Sequence, residues 1–315
     1  MIRIENLTKE YNGLKVVDRL NLRVEKGEIY GFLGPNGAGK TTTILMLLGI
    51  LRPTAGRIFI SGRELKEDPM VIKKKLGVVP EKQYIYKEMT ALEYLDFFGG
   101  LYQVKDRGKR IDELLEKLDL SGARNKRLGA FSRGMQQKIG FARAFVHDPE
   151  ILILDEPISG LDPRGVKQVH DLIAKANNKG KTILISSHLL SEVEKLCTKV
   201  GIINKGQLLA EERMDSLKRR LTDVVEMEIE LAKMKKEVVE KLSAFDFVRE
   251  IVKNNNMLTV KVDSDKDYRS AISESISQSG GLVLGIRVKE MSLEEAFMTI
   301  TAKNISLLTS SPKEK

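Results

Sequence analysis

The chain has one cysteine, Cys197, among its 315 residues, so no internal disulfide can form. That scarcity fits a reducing compartment. Long apolar runs are missing as well. The best uncharged stretch, Thr41 to Leu51, falls short of the ~18 residues that suggest a membrane-spanning helix. The opening residues, Met1-Ile2-Arg3-Ile4-Glu5, include an acid and no apolar stretch, unlike a secretory signal. Low-complexity tracts and internal repeats are absent. Glycine is scarce after residue 220, where only Gly280, Gly281 and Gly285 occur. Glycine-rich loops therefore belong to the first part of the chain. These absences lead to the expectation of a soluble, intracellular protein. With 42% hydrophobic and 31% charged residues, a disordered or fibrous chain is excluded. The length suggests about two domains.

The net charge of +9 is unevenly placed. Residues 221–315 hold 14 Lys/Arg and 16 Asp/Glu, a net of −2, so residues 1–220 carry +11. A basic first part suits nucleotide phosphates, nucleic acid or an anionic membrane, and equally an ordinary solvated surface.

The first stretch alternates apolar and polar residues, as in Leu20-Asn21-Leu22-Arg23-Val24, which predicts antiparallel strands. Glu28-Ile29-Tyr30-Gly31-Phe32-Leu33 then runs into a glycine-rich loop, and a helix is predicted over Thr42–Leu51. Ile151–Leu154 and Thr182–Ser186 are continuous apolar runs, as expected of parallel strands covered on both faces. A helical insertion is expected over about 85–148, with Thr90-Ala91-Leu92-Glu93 a capping box. From Val224 to Val288 the pattern predicts the order βαββαβ, a split βαβ arrangement. A last helix is expected from Leu293 to Ala302, then a frayed tail at 311–315.

Gly34-Pro35-Asn36-Gly37-Ala38-Gly39-Lys40-Thr41 fits a phosphate-binding loop between a strand and a helix. The glycines let backbone N–H groups turn toward phosphate oxygens, and the helix start adds partial positive charge. Lys40 is expected to reach the β- and γ-phosphates, and the Thr41 hydroxyl to ligate Mg²⁺. Ile151-Leu152-Ile153-Leu154-Asp155-Glu156 is a buried strand ending in two acids. Alternation points them in different directions, so Asp155 is the metal-side candidate and Glu156 the candidate base. His147 and His170 lack a partner pattern, and Cys197 reads as a small buried hydrophobe.

These motifs resemble the nucleotide-binding subunit of ATP-binding-cassette (ABC) transporters. Phe131-Ser132-Arg133-Gly134-Met135 resembles the family signature, Ser159-Gly160-Leu161-Asp162 its D-loop and His188 its switch histidine. Tyr11 resembles the aromatic residue that stacks on adenine. The resemblance covers residues 1 to about 220. It implies an α/β P-loop NTPase cassette with a β-subdomain, a RecA-like core and a helical insertion. It also implies ATP and Mg²⁺ as ligands and a head-to-tail dimer, homo- or hetero-. In that dimer Ser132 and Gly134 of one chain meet the ATP of the other. The implied nucleotide contacts are Tyr11, Gly34, Pro35, Asn36, Gly37, Ala38, Gly39, Lys40, Thr41, Thr42, Ser132, Gly134 and Asp162. Lys40, Glu156 and His188 carry the implied chemistry, with Thr41, Asp155 and Glu81 on the metal.

Two departures from the family pattern stand out. Glu81 occupies the expected place of the Q-loop glutamine, with Gln83 the nearest glutamine. The signature reads Ser-Arg-Gly-Met in place of Ser-Gly-Gly-Gln. Residues 221–310 form an expected α+β, ferredoxin-like accessory domain. With Met291-Ser292-Leu293-Glu294-Glu295-Ala296-Phe297 this part resembles the C-terminal extension of drug- and ABC-2-type export ATPases. The implied function is the ATPase subunit of an exporter, held on the inner face of the membrane by a separate permease. The aromatic residues Tyr84, Tyr86, Tyr94, Phe97, Phe98 and Tyr102 suit either a core cluster or a groove for such a permease. A soluble cassette ATPase working on nucleic acid or ribosomes is the alternative. It is disfavoured by the single cassette and by the lack of a long coiled-coil insertion.

Overall fold

The computed structural model describes residues 1–188, 190–214, 216, 224–263 and 266–289. The chain divides into two compact units, Met1–Arg213 and Met214–Lys315. The expected helix from Leu293 to Ala302 and the expected tail lie outside the described residues.

The first unit opens with β1 (Ile2–Tyr11) and β2 (Leu14–Val24), then β3 (Ile29–Leu33) and α1 (Lys40–Leu47). β4 (Ala55–Ile60) and β5 (Arg63–Glu64) join the first two strands in an antiparallel sheet ordered β2-β1-β4-β5. Period-two alternation buries Ile2, Ile4, Leu20, Leu22 and Val24 on one face, as the pattern requires. Helix α1 ends before its expected stop at Leu51. Gly49 adopts a left-handed φ of +63°, and the N–H groups of Gly49 and Ile50 turn back to the carbonyls of Met46 and Leu45. That glycine-based cap ends the helix ahead of Arg52-Pro53.

After α2 (Pro69–Lys73) comes β6 (Leu76–Val79), followed by the helices α3 (Ala91–Leu101), α4 (Arg107–Lys117) and α5 (Arg133–Phe145). The Thr90–Glu93 capping box opens α3 as expected. β7 (Ile151–Asp155), α6 (Pro163–Asn178), β8 (Thr182–Ser187), α7 (Leu190–Leu196), β9 (Lys199–Asn204) and β10 (Gln207–Arg213) complete the unit. The second sheet runs β10-β9-β3-β8-β7-β6. Only the β10–β9 pair is antiparallel. Every residue of β3, β7 and β8 is buried, which is why these strands read as unbroken apolar runs. Because β3, β8 and β7 are neighbours and parallel, their carboxyl ends open on one crevice, where α/β sheets bind ligands.

The second unit carries β11 (Val224–Leu231), β12 (Val248–Asn254), β13 (Met257–Asp263) and β14 (Val283–Lys289), with helices Lys236–Ser243 and Arg269–Gln278. Its antiparallel sheet is ordered β12-β13-β11-β14, and the elements follow the expected order βαββαβ. Met227, Ile229, Leu258, Val260 and Val262 face Val238, Leu242, Ile272 and Ile276 of the helices in a separate core.

Candidate functional site

The loop between β3 and α1 is shaped by its glycines. Gly37 and Gly39 take φ of +79° and +104°. A Cβ on Gly39 would stand 2.7 Å from the Val16 carbonyl, so both conformation and space exclude a side chain. Gly39 caps α1 without a side-chain acceptor, and no acid lies in the first turn. The first amides of α1 and its positive dipole end are left for an anion. The loop lines a cavity of about 370 Å³, which Glu81, Glu156, Ser159 and His188 also reach.

Lys40 is buried, and its Nζ donates to the Gly34 carbonyl at 2.6 Å and to the Pro35 carbonyl at 3.3 Å. Glu156 Oε1 lies 3.8 Å from the same Nζ. Burial pulls the Lys40 pKa below that of an ordinary lysine, while Glu156, Asp155 and Glu81 counter the shift. Asp155 ends β7. It accepts hydrogen bonds from Ser186 Oγ and, at 3.3 Å, from Thr41 Oγ1. Burial pushes its pKa above the usual carboxylate value, against these two hydroxyls, and the charges of Glu156 and Glu81 add to the rise. Glu156 leaves the strand with a left-handed φ of +47°, a conformation that costs a non-glycine residue energy and is frequent at functional sites. Its amide donates to the carbonyl of Ser186 and, at 3.2 Å, to Ser186 Oγ. The half-exposed His188 places Nδ1 2.8 Å from Glu156 Oε2.

The structure thus brings Pro35 to Thr42, Glu81, Glu156 and His188 to one cavity, with Asp155 bonded behind Thr41. It sets other candidates apart. Tyr11, at the end of β1, is 46% exposed, carries Lys9 Nζ 4.8 Å from its ring centre and does not line the cavity. Val16 of β2 lines it instead. Gly34 is buried below the loop, and a side chain there would strike the Ile203 carbonyl. Ser132 caps α5 and Asp162 caps α6, and neither lines the cavity. A Cβ on Gly134 would meet the Gly160 carbonyl at 3.6 Å, an ordinary contact. Gln83 is bonded to Pro80 and Gln137, away from the cavity, so Glu81 is the residue its strand delivers. Ser186, Val16 and Ser159 were not among the expected site residues. Ser159 carried a signal in its D-loop resemblance. Ser186 and Val16 carried none, because only the pairing of distant strands brings them in.

Comparison with known proteins gives the family. Residues 17–159 match the family model described as ABC transporter. The chain belongs to the family of ABC transporter ATP-binding proteins. Within it, the chain is 40% identical over 301 residues to the bacitracin transport ATP-binding protein BcrA of Bacillus licheniformis, spanning 95% of this chain and 97% of that one. It is 30% identical to the linearmycin resistance ATP-binding protein LnrL of Bacillus subtilis, spanning 97% and 99%. Among solved structures, an ATP-binding subunit of an ABC transporter superposes with a TM-score of 0.67 at 30% identity, covering 70% of this chain and 92% of that one. A dimeric cassette in a post-hydrolysis state with ADP and Pi gives 0.63 at 26% identity, covering 68% and 99%. No helix among the described residues is long and apolar enough to cross a membrane.

Proposed function

We propose that this protein is the ATP-hydrolysing subunit of a membrane exporter, working as a pair of cassettes beneath a separate permease. The observation that carries the reading is the Glu156–His188 contact of 2.8 Å at the mouth of the phosphate loop, with Lys40 3.8 Å from the same carboxylate. The loop amides and Lys40 bind the β- and γ-phosphates. Glu156 takes a proton from the attacking water as it adds to the γ-phosphorus and the ADP oxygen leaves. His188 holds the Glu156 carboxylate in place and reaches toward the phosphate. Positioning and charge stabilisation supply most of the acceleration.

Mg²⁺ suits the oxygen donors present. The Thr41 hydroxyl and the Asp155 carboxylate converge within 3.3 Å. That is the donor set of an ion held by few protein groups plus substrate phosphates. Glu81 stands at the same cavity as a third oxygen donor. Bound there, the ion would neutralise charge on the phosphates.

The cavity is open on one side, and Ser132 and Gly134 stand outside it. A second cassette, packed head-to-tail, would bring its own Ser132, Gly134 and α5 amides to that open side. The dimeric structural relative supports pairing of two cassettes, and the transport name of the full-length relative supports work with a membrane partner. Tyr11, half-exposed at the end of β1, would stack on adenine. The membrane partner suits the aromatics between β6 and α4. Tyr94 is buried against the exposed Tyr86, whose ring also meets the exposed Phe97, and Tyr84 is exposed as well. Exposed rings on a rigid base make an interface anchor. Replacing Tyr86 by Ala is expected to reduce transport while ATPase activity persists. Loss of folding would instead place Tyr86 in the core.

Hydrolysis of Mg²⁺-ATP by the wild type and by Glu156→Gln tests the reading. Turnover in the wild type, and its loss by about a hundredfold or more in the variant, is expected for a removed general base. Equal rates would remove Glu156 from that role.

A further inference from the structure

Arg133 is the charged residue of the signature segment, and the reading above leaves it unused. It is the first residue of α5, exposed, with no acid in the first turn to offset it. A cation there opposes the helix dipole, so helix stability does not account for it. Its side chain instead reaches across to the loop after β7. Nη2 donates to Ser159 Oγ at 3.1 Å. The stem fills the space over Gly160, where a Cβ would meet Nε at 2.6 Å and φ is +79°. One turn along the same face, the buried Gln137 donates from Nε2 to the Pro157 carbonyl at 2.8 Å. Gln137 Oε1 accepts from Gln83 at 3.2 Å, and Gln83 also donates to the Pro80 carbonyl. Ser159 closes the turn, its amide N–H donating a hydrogen bond to the Glu156 carbonyl at 3.2 Å, and the residue lines the cavity.

We propose that Arg133 is a positioning residue for hydrolysis: with Gln137 it clamps the turn of residues 156–159 and so fixes where Glu156 stands against the phosphate loop. The proposal rests on Glu156 acting as the base. Its consequence is a physical link within one chain. The start of α5, which would meet the partner's ATP, is tied by one arginine to the carboxylate that acts on this chain's own ATP. Pro80 and Gln83, on either side of Glu81 in the chain, belong to the same network.

The test uses the full-length protein. Arg133→Ala is expected to lower kcat by about tenfold, the value of one hydrogen bond to a charged group. KM for ATP should stay within about twofold, because the phosphate loop is untouched. Tm should not fall, since a cation leaves the positive end of a helix. A purely structural residue would lower Tm along with kcat. Ser159→Ala should cost a similar factor, and the double variant little more than either alone. Multiplying losses in the double variant would overturn the link. Arg133→Lys keeps a donor and should recover part of the rate. The clamp is also read without turnover: amide exchange at residues 157–161 should quicken in Arg133→Ala. Unchanged exchange would overturn the proposal even with an active wild type. A wild type without ATPase activity, but with quickened exchange in the variant, would remove the reading of Glu156 and keep the clamp.

Discussion

Asp155 is a carboxylate whose burial works against its charge. It is buried, with Glu156 next in the chain, and its pKa is raised from 3.8 chiefly by burial. The sign of the linkage follows. The folded state holds this proton more tightly than the unfolded chain, so the group's contribution to stability falls as pH rises from the unfolded value through the raised one. Asp155→Asn keeps an acceptor for Ser186 and Thr41 and removes the buried charge. Its Tm at neutral pH should exceed the wild type's. The gap should narrow as pH falls below the raised pKa, and Mg²⁺-dependent hydrolysis should be lost. An unchanged or lower Tm would contradict the account. Asp155 and Glu156 were legible because adjacent acids at the end of an apolar strand are a local pattern. Ser186, which bonds both, was not, because the contact joins neighbouring strands 31 residues apart in sequence.

Among the elements, the phosphate loop makes the sharpest prediction. Gly37 has positive φ and open space, so Gly37→Ala should cost only backbone strain of roughly 1–2 kcal/mol. Gly39 has positive φ and also faces the Val16 carbonyl, so Gly39→Ala should be more damaging in both Tm and ATP affinity. Equal effects would mean that the β2 backbone yields. The capping box of α3 gives a second check: Thr90→Ala should destabilise the chain by about 1 kcal/mol, measured by denaturant unfolding. The interior strands and the α3 cap were readable because burial on both faces and hydrogen-bonding side chains leave marks on the sequence itself. The end of α1 was less so. Apolar residues continue to Leu51, and the backbone turn at Gly49 outweighs them. Tyr11 was read from motif order alone, and its half-exposed ring at the end of β1 leaves a face open for a stacking base.

At the scale of the molecule, each unit has its own buried core, and every residue of the phosphate cavity belongs to the first. A chain ending at Arg213 is therefore expected to fold and bind ATP with undiminished affinity, as isothermal titration can show. Loss of binding would mean that the second unit takes part in the site. The central claim is that ATP joins two copies of this cassette and that Glu156 ends the union. The most direct measurement is the solution mass of the Glu156→Gln protein by light scattering, with and without Mg²⁺-ATP. The account predicts the 35.4 kDa of one chain without nucleotide and twice that mass with it. A mass that stays at one chain while ATP is demonstrably bound would contradict it.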